Sequence, residues 1–147
     1  MIDEIVLATG NKGKVKEFEG LLHGIAGRII GLGDLESPPE VVEDGETFME
    51  NALKKARTIA KYSGRPALAD DSGLAVDALG GKPGVYSARY SGEGATDEKN
   101  IDKLLRELGD TEHRSARFVC SLALVTPDGE ETVVSGECEG VILTGPR

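Results

Sequence analysis

Four runs of polar residues carry the chemistry this sequence can offer. Asp70 and Asp71 follow the short apolar run 66–69, and Glu43 and Asp44 precede a run of helical periodicity. Carboxylates in such pairs suit Mg2+, which takes one or two of them and fills its shell with water and substrate phosphates. Neighbouring side chains in a strand point to opposite faces, so Asp70 and Asp71 are expected not to chelate one ion together. One would bind metal while the other orients a water or caps Ser72 and Gly73. The plainer alternative is an Asp-rich turn, with Asp44 as a helix N-cap.

The third run is Thr9-Gly10-Asn11-Lys12-Gly13-Lys14. A strand, a tight turn and a helix N-terminus form an anion site, because unpaired N–H groups and the helix dipole face outward. Lys12 and Lys14 add positive charge. The spacing is not that of the common P-loop, and an ordinary strand-to-helix turn flanked by surface lysines is the competing reading.

Lys55 is the fourth. At about 100° per residue, Phe48, Ala52, Ala56 and Ile59 share one helix face, while Glu50, Lys54, Arg57 and Lys61 share the opposite one, with Glu50 and Lys54 spaced to pair. Lys55 projects inside the apolar stripe, with Asn51 one turn earlier beside it. A lysine there must snorkel, pair with a carboxylate or meet an anionic ligand.

Other chemistries find less support. His23 and His113 have no partner at zinc-ligand spacing and read as solvated. Ser72 lies in Asp-Ser-Gly, which is not a nucleophile elbow. Cys120 and Cys138 fit no zinc or redox spacing; they fall on adjacent hairpin strands without being directly opposite, and read as buried free thiols.

The elements that must position these groups follow from periodicity and punctuation. Residues 5–8 predict a buried strand, and Val15, Phe18, Leu21 and Leu22 a helix ended by Gly24 and Gly27. Residues 28–32 read as a second strand and 37–39 as a loop. A helix is expected over 46–62 with Gly64 as its stop, then a brief strand over 66–69. The glycine-rich stretch 79–94 shows no period and reads as a long, functional loop. Thr96 caps a helix over 97–108. Residues 116–126 and 131–138 form a hairpin about Pro127-Asp128-Gly129, and residues 141–143 begin another strand. Helices interleave with strands before the hairpin arrives, which argues an α/β or α+β fold with a mixed sheet.

Composition sets the bounds. The chain has 147 residues, 39% of them hydrophobic and 29% charged, which suits one domain over 1–147 rather than a disordered tail or a disulfide scaffold. The formal net charge of −9 argues against a nucleic-acid binder, whose affinity comes mainly from phosphate contacts. No run approaches the roughly 20 apolar residues of a membrane span, and the acidic start does not resemble a signal peptide, so no membrane partner and a cytoplasmic location are expected.

Several runs together resemble a known family. These are Leu7-Ala8-Thr9-Gly10-Asn11 with Lys14 and Glu17; Glu43-Asp44-Gly45, Thr47-Phe48 and Glu50-Asn51-Ala52; Ala69-Asp70-Asp71-Ser72-Gly73-Leu74; and Pro83-Gly84-Val85-Tyr86-Ser87-Ala88-Arg89-Tyr90. In order and spacing they resemble the inosine triphosphate pyrophosphatases, the Ham1/RdgB-like purine nucleoside triphosphate pyrophosphatases. The resemblance implies an elongated α/β structure of Ham1/Maf type, with a long mixed sheet and two lobes around a cleft. It implies a homodimeric, Mg2+-dependent hydrolase that converts ITP, dITP and XTP to monophosphate and pyrophosphate, cleansing the nucleotide pool. Carried over by position, Thr9, Gly10, Asn11, Lys12, Gly13, Lys14, Lys55 and Ser72 would bind substrate. Glu43 and Asp71 would hold metal, and Asp71 would also accept the proton of the attacking water. Family members continue into Phe-Gly-Tyr-Asp, a lysine and Ser-His-Arg, which grip the base. The resemblance is therefore to a C-terminally shortened member. The alternatives are an impaired nucleotide-binding or dimerising remnant, and a related enzyme for modified pyrimidine nucleotides.

Overall fold

The structure is a computed structural model and describes residues 2–9 and 12–144. Six strands form one mixed sheet in the order β2-β1-β3-β5-β6, with β4 attached to β3 off this path. Strand β1 (Ile2–Leu7) leads to helix α1 (Lys12–Leu21) and strand β2 (Ala26–Ile30). Helix α2 (Phe48–Ser63) precedes β3 (Ala67–Val76), β4 (Lys82–Pro83) and helix α3 (Asp97–Leu108). Strands β5 (Ser115–Val125) and β6 (Glu131–Val141) close the order.

β1 pairs in parallel with both β2 and β3, whereas β3–β5 and β5–β6 are antiparallel. The chemistry of the connections accounts for this division. Parallel neighbours need long crossovers, which α1 and α2 supply; of the antiparallel pairs, β5 and β6 are joined by a turn, whereas β3 reaches β5 by way of β4 and α3. Ile5, Val6, Leu7 and Ala8 are consecutively buried, as expected where both faces of a parallel strand are covered. β6 is the edge strand, and nearly all its residues are exposed.

The larger core lies between α2 and the sheet. Ala52, Ala56, Ile59 and Ala60 of α2 meet Val6, Ala67, Ala69, Ala123 and Val125. Small side chains on the helix let its axis come close to the strands, so little aromatic residue is needed to fill the space. A second core gathers Val76, Tyr90, Leu104, Leu108 and Ala116 under α3. Alternation along β3 assigns its two faces: Ala67 and Ala69 pack toward α2, whereas Leu68 and Asp70 line a small cavity with Phe18 of α1. Among the described residues, no helix is long and apolar enough to cross a membrane.

Several local expectations change. Asp70-Asp71-Ser72-Gly73 is not a turn: β3 runs through it, paired without a break from Ala67↔Val125 to Val76↔Ala116. The long partner strand supplies ladder hydrogen bonds that outweigh the local turn preference of Asp and Gly. Asp44 does not cap α2. Thr47 does, with its hydroxyl accepting the Glu50 N–H, and the helix begins two residues later than expected, at Phe48. Glu50 and Lys54 do not pair: Glu50 accepts the Glu46 N–H, and Lys54 reaches Asp44 at 2.6 Å. Strand β2 is shifted toward the N-terminus, and the stretch 79–94 holds β4 and a 3-10 segment (Gly84–Arg89) instead of loop alone. Val141 ends β6 and starts no new strand. The thiols are free but not both buried: Cys138, on the edge strand β6, is exposed and Cys120 half-buried. Their registers, Cys120↔Gly136 and Phe118↔Cys138, keep them off opposite positions, as expected.

Gly73 shows how tightly the 3-10 segment docks on β3. A Cβ at this position would lie 2.6 Å from the Gly84 carbonyl oxygen and 2.9 Å from the Phe48 ring. Gly73→Ala is expected to cost about 1–3 kcal/mol through overpacking. Urea unfolding would register this as a lower midpoint with an unchanged slope; an unchanged midpoint would contradict the close approach.

Candidate active site

The first turns of α2 bring the acidic groups together. Residues 43–46 arrive from an extended stretch and are fastened to the helix. Asn51, 1% exposed, accepts the Gly45 N–H through Oδ1 at 2.7 Å and donates from Nδ2 to Asp71 Oδ2 at 3.0 Å. A Cβ on Gly45 would stand 2.7 Å from that same Oδ1, so a side chain at this position would force the loop off the helix. A buried amide with both ends occupied is a satisfied group and a rigid one.

Lys55 sits one turn further on. Its side chain is only 17% exposed, and Nζ lies 2.9 Å from Glu43 Oε1. The same ammonium donates to the carbonyl oxygen of Asp70. Of the three fates open to a lysine in an apolar stripe, the structure gives pairing with a carboxylate. A charge this shielded is tolerated because both a counter-ion and a carbonyl meet it.

Asp71 is half-buried, and loss of solvent pushes its carboxyl above the ordinary aspartate range. The Asn51 hydrogen bond and the Lys55 charge pull the other way, and the Glu43 charge adds to the rise. Asp71 Oδ1 also accepts the N–H of Ser72 at 3.2 Å. Asp70 points to the other face, where Lys14 of α1 holds its Oδ2 at 2.8 Å. The expected divergence of the two neighbouring carboxylates is therefore present. Asp70 neither caps Ser72 nor stands beside Asp71; the Ser72 N–H goes to Asp71 instead.

A cavity of about 500 Å3 opens beside this cluster, and its wall includes Thr9, Glu43 and Lys55 together with Leu32, Pro39 and Ile59. Asp71 is not in that wall and joins the cluster through Asn51. A second cavity, of about 430 Å3, is lined by Thr9, Lys12, Lys16 and Asp34. Thr9, at the end of β1, thus borders both. Lys12 and Gly13 lie in the first turn of α1. Gly10 and Asn11 lie outside the described residues. By alternation Ser72 falls on the Asp70 face. Glu43, Lys55 and Asp71 are gathered, then, with Thr9 at the rim. Lys14 is not in this group: it meets the Asp70 carboxylate on one face of β3 while Lys55 meets the Asp70 carbonyl.

Asn51 is the residue whose part the sequence left unassigned. Its signal was present: Asn51, Lys55 and Ile59 recur at i, i+4, placing two polar groups in line with a core residue. Among the described residues, no three His, Cys, Asp or Glu side chains are grouped to hold a metal. Glu43, paired with Lys55, and Asp71, held by Asn51 within the field of Lys55, are hard oxygen donors, which suit an Mg2+ that draws its remaining ligands from water and phosphate.

The Ham1 family profile matches residues 5–147. A dITP/XTP pyrophosphatase of Geobacter sulfurreducens is 57% identical over 145 residues, which is 97% of this chain and 73% of that protein. A dITP/XTP pyrophosphatase of Desulfotalea psychrophila is 56% identical over 147 residues, covering 100% of this chain and 66% of its own length. The chain therefore spans about two thirds to three quarters of these curated relatives. The solved Ham1 protein of Staphylococcus aureus superposes with a TM-score of 0.90 at 45% identity, covering 97% of this chain and 73% of that one. That of Coxiella burnetii gives 0.91 at 43% identity, over 100% and 76%. With a mixed sheet of the same form and a profile match over nearly its whole length, the chain belongs to the Ham1 family.

Proposed function

We propose that this chain hydrolyses deaminated purine nucleoside triphosphates, such as ITP, dITP and XTP, to the monophosphate and pyrophosphate with Mg2+. The observation that carries the reading is the shielded Lys55 ammonium held between Glu43 and β3, beside Asn51-bound Asp71. The similarity to the dITP/XTP pyrophosphatases of Geobacter sulfurreducens and Desulfotalea psychrophila supports the same substrate class. A homodimeric assembly and a cytoplasmic location go with this reading.

The residues divide the work as follows. Lys55 faces the triphosphate; a unit charge about 4 Å from another, at a partly screened site, interacts by about 4 kcal/mol. As the family resemblance implies, Thr9, Gly10, Asn11, Lys12, Gly13 and Lys14 would bind phosphate oxygens and Ser72 would contact the substrate; of these, Thr9 shares the cavity wall with Glu43 and Lys55, while Lys14 is held by Asp70. Glu43 and Asp71 would hold Mg2+, which when bound neutralises the triphosphate and the departing pyrophosphate. Asp71 takes a proton from water as its oxygen attacks the α-phosphorus, and the bond from that phosphorus to the bridging oxygen breaks. Asn51 keeps the carboxylate aimed, and its donated hydrogen bond favours the ionised form that can accept a proton.

Incubation with ITP and Mg2+, followed by pyrophosphate assay, tests the function. Release of pyrophosphate is expected, and binding without turnover would turn the reading toward a non-catalytic nucleotide binder. Asp71→Asn is expected to lower turnover at least a thousandfold with the circular dichroism unchanged, in the range of a lost general base together with a lost ligand. Near-normal turnover would remove Asp71 from the mechanism.

Lys55→Met is expected to raise KM for ITP about tenfold or more, with a smaller effect on the inhibition constant of IMP, which carries fewer phosphates. Equal effects on the two would detach Lys55 from the polyphosphate. For the metal-free chain, 13C NMR should find Asp71 titrating above the usual aspartate value of about 3.9. Asn51→Ala should raise it further by removing a donor to the charged form. A value at or below the ordinary one would contradict the burial that sets this site.

A further inference from the structure

Arg89 ends the 3-10 segment Gly84–Arg89. It lies 46 residues from Glu43 in sequence, yet its Nη2 donates to the Glu43 carbonyl oxygen at 3.0 Å. The guanidinium also stands 5.1 Å from the centre of the Tyr86 ring. Stacking on an aromatic face restricts a planar cation before it makes its hydrogen bond, so less freedom is lost in holding the carbonyl.

The segment that carries Arg89 is itself anchored. Ser87 Oγ donates to the Gly84 carbonyl at 2.6 Å and accepts the Leu74 N–H at 2.9 Å, which ties the segment to β3 just past Asp71. From α3, Asn100 donates to the carbonyls of Ser87 and Ala88 and accepts from Ser91. Lys103 donates to the Tyr90 carbonyl at 2.8 Å. A continuous run of hydrogen bonds thus leads from the second core to the backbone of Glu43. Asn51 holds the same loop from the α2 side at Gly45.

We propose that Arg89 is a positioning residue, fixing the Glu43 backbone so that its carboxylate meets a divalent cation beside Asp71. The proposal rests on the reading of Glu43 as a metal ligand given above. Arg89 touches no reacting atom in this scheme. It acts through Glu43, and α3 acts through Arg89. The 3-10 segment and the second core are then part of the metal site although they contribute no ligand to it.

The test uses Mn2+ alone, with free metal read by electron paramagnetic resonance, together with amide exchange at Asp44, Gly45 and Glu46. Arg89→Met is expected to weaken Mn2+ binding about tenfold and to speed exchange at these amides by a similar factor, the scale of one lost hydrogen bond to a charged donor. Arg89→Lys, which keeps one donor, should recover part of the affinity. Asn100→Ala should reproduce the loss while leaving Arg89 in place, and Lys82→Ala, which lines the same surface cavity as Arg89, should change nothing. Folded Arg89→Met and Asn100→Ala proteins with unaltered Mn2+ affinity would overturn the proposal. Failure of the unaltered protein to bind Mn2+ would instead remove Glu43 as a ligand, and this proposal with it.

Discussion

A cationic side chain inside an apolar helix face is the constraint from which the rest of this molecule can be understood. Lys55 lies between Ala52 and Ile59, two residues that are almost wholly buried. An ammonium in that position needs a counter-charge that does not leave it. Glu43 supplies the charge and the Asp70 carbonyl supplies a second acceptor. Meeting that need fixes the path of the loop before α2 and the register of β3 against the helix. It also brings a second carboxylate, Asp71, to the same place.

The surroundings of Lys55 are built from ordinary parts used tightly. Alanines along α2 allow the helix to approach the sheet. Gly45 and Gly73 allow two loops to approach the helix and the strand where any side chain would collide. Asn51 turns the resulting proximity into hydrogen bonds, one to the loop and one to Asp71. The site has few ionisable groups, and its rigidity comes from the uncharged ones between them. This suits a function in which charge is to be met by a substrate and a metal, because an over-complete set of protein charges would leave nothing for them to neutralise.

Asp70 and Asp71 illustrate how one strand serves two surfaces. Alternation sends one carboxylate to Lys14 on α1 and the other to Asn51 on α2. The backbone of the same strand accepts from Lys55 and, three residues beyond Asp71, donates to Ser87. Neighbours in sequence thus have unrelated partners, while groups far apart in sequence share one. Burial raises the Asp71 carboxyl above its ordinary range.

The sequence by itself determined the elements, their order and the short list of chemical groups. Periodicity marks α2 and α3, and Lys55 stands out because its charge breaks an apolar stripe, a contradiction visible without coordinates. Strand alternation likewise separates Asp70 from Asp71. Where local preference and long-range pairing disagreed, the sequence pointed the wrong way. Asp-Asp-Ser-Gly has the composition of a turn, but a ladder to β5 extends it as strand, and that partner lies about fifty residues along the chain. Asp44 has the chemistry of a cap, yet Thr47 holds the position because the cap is decided by where the helix axis begins. Only the tertiary structure decided that Lys14 and Lys55 fall on opposite sides of one strand. It alone joined Arg89 to the Glu43 carbonyl. Both depend on how the strands are ordered and crossed, which is a property of the packed chain and of no segment within it.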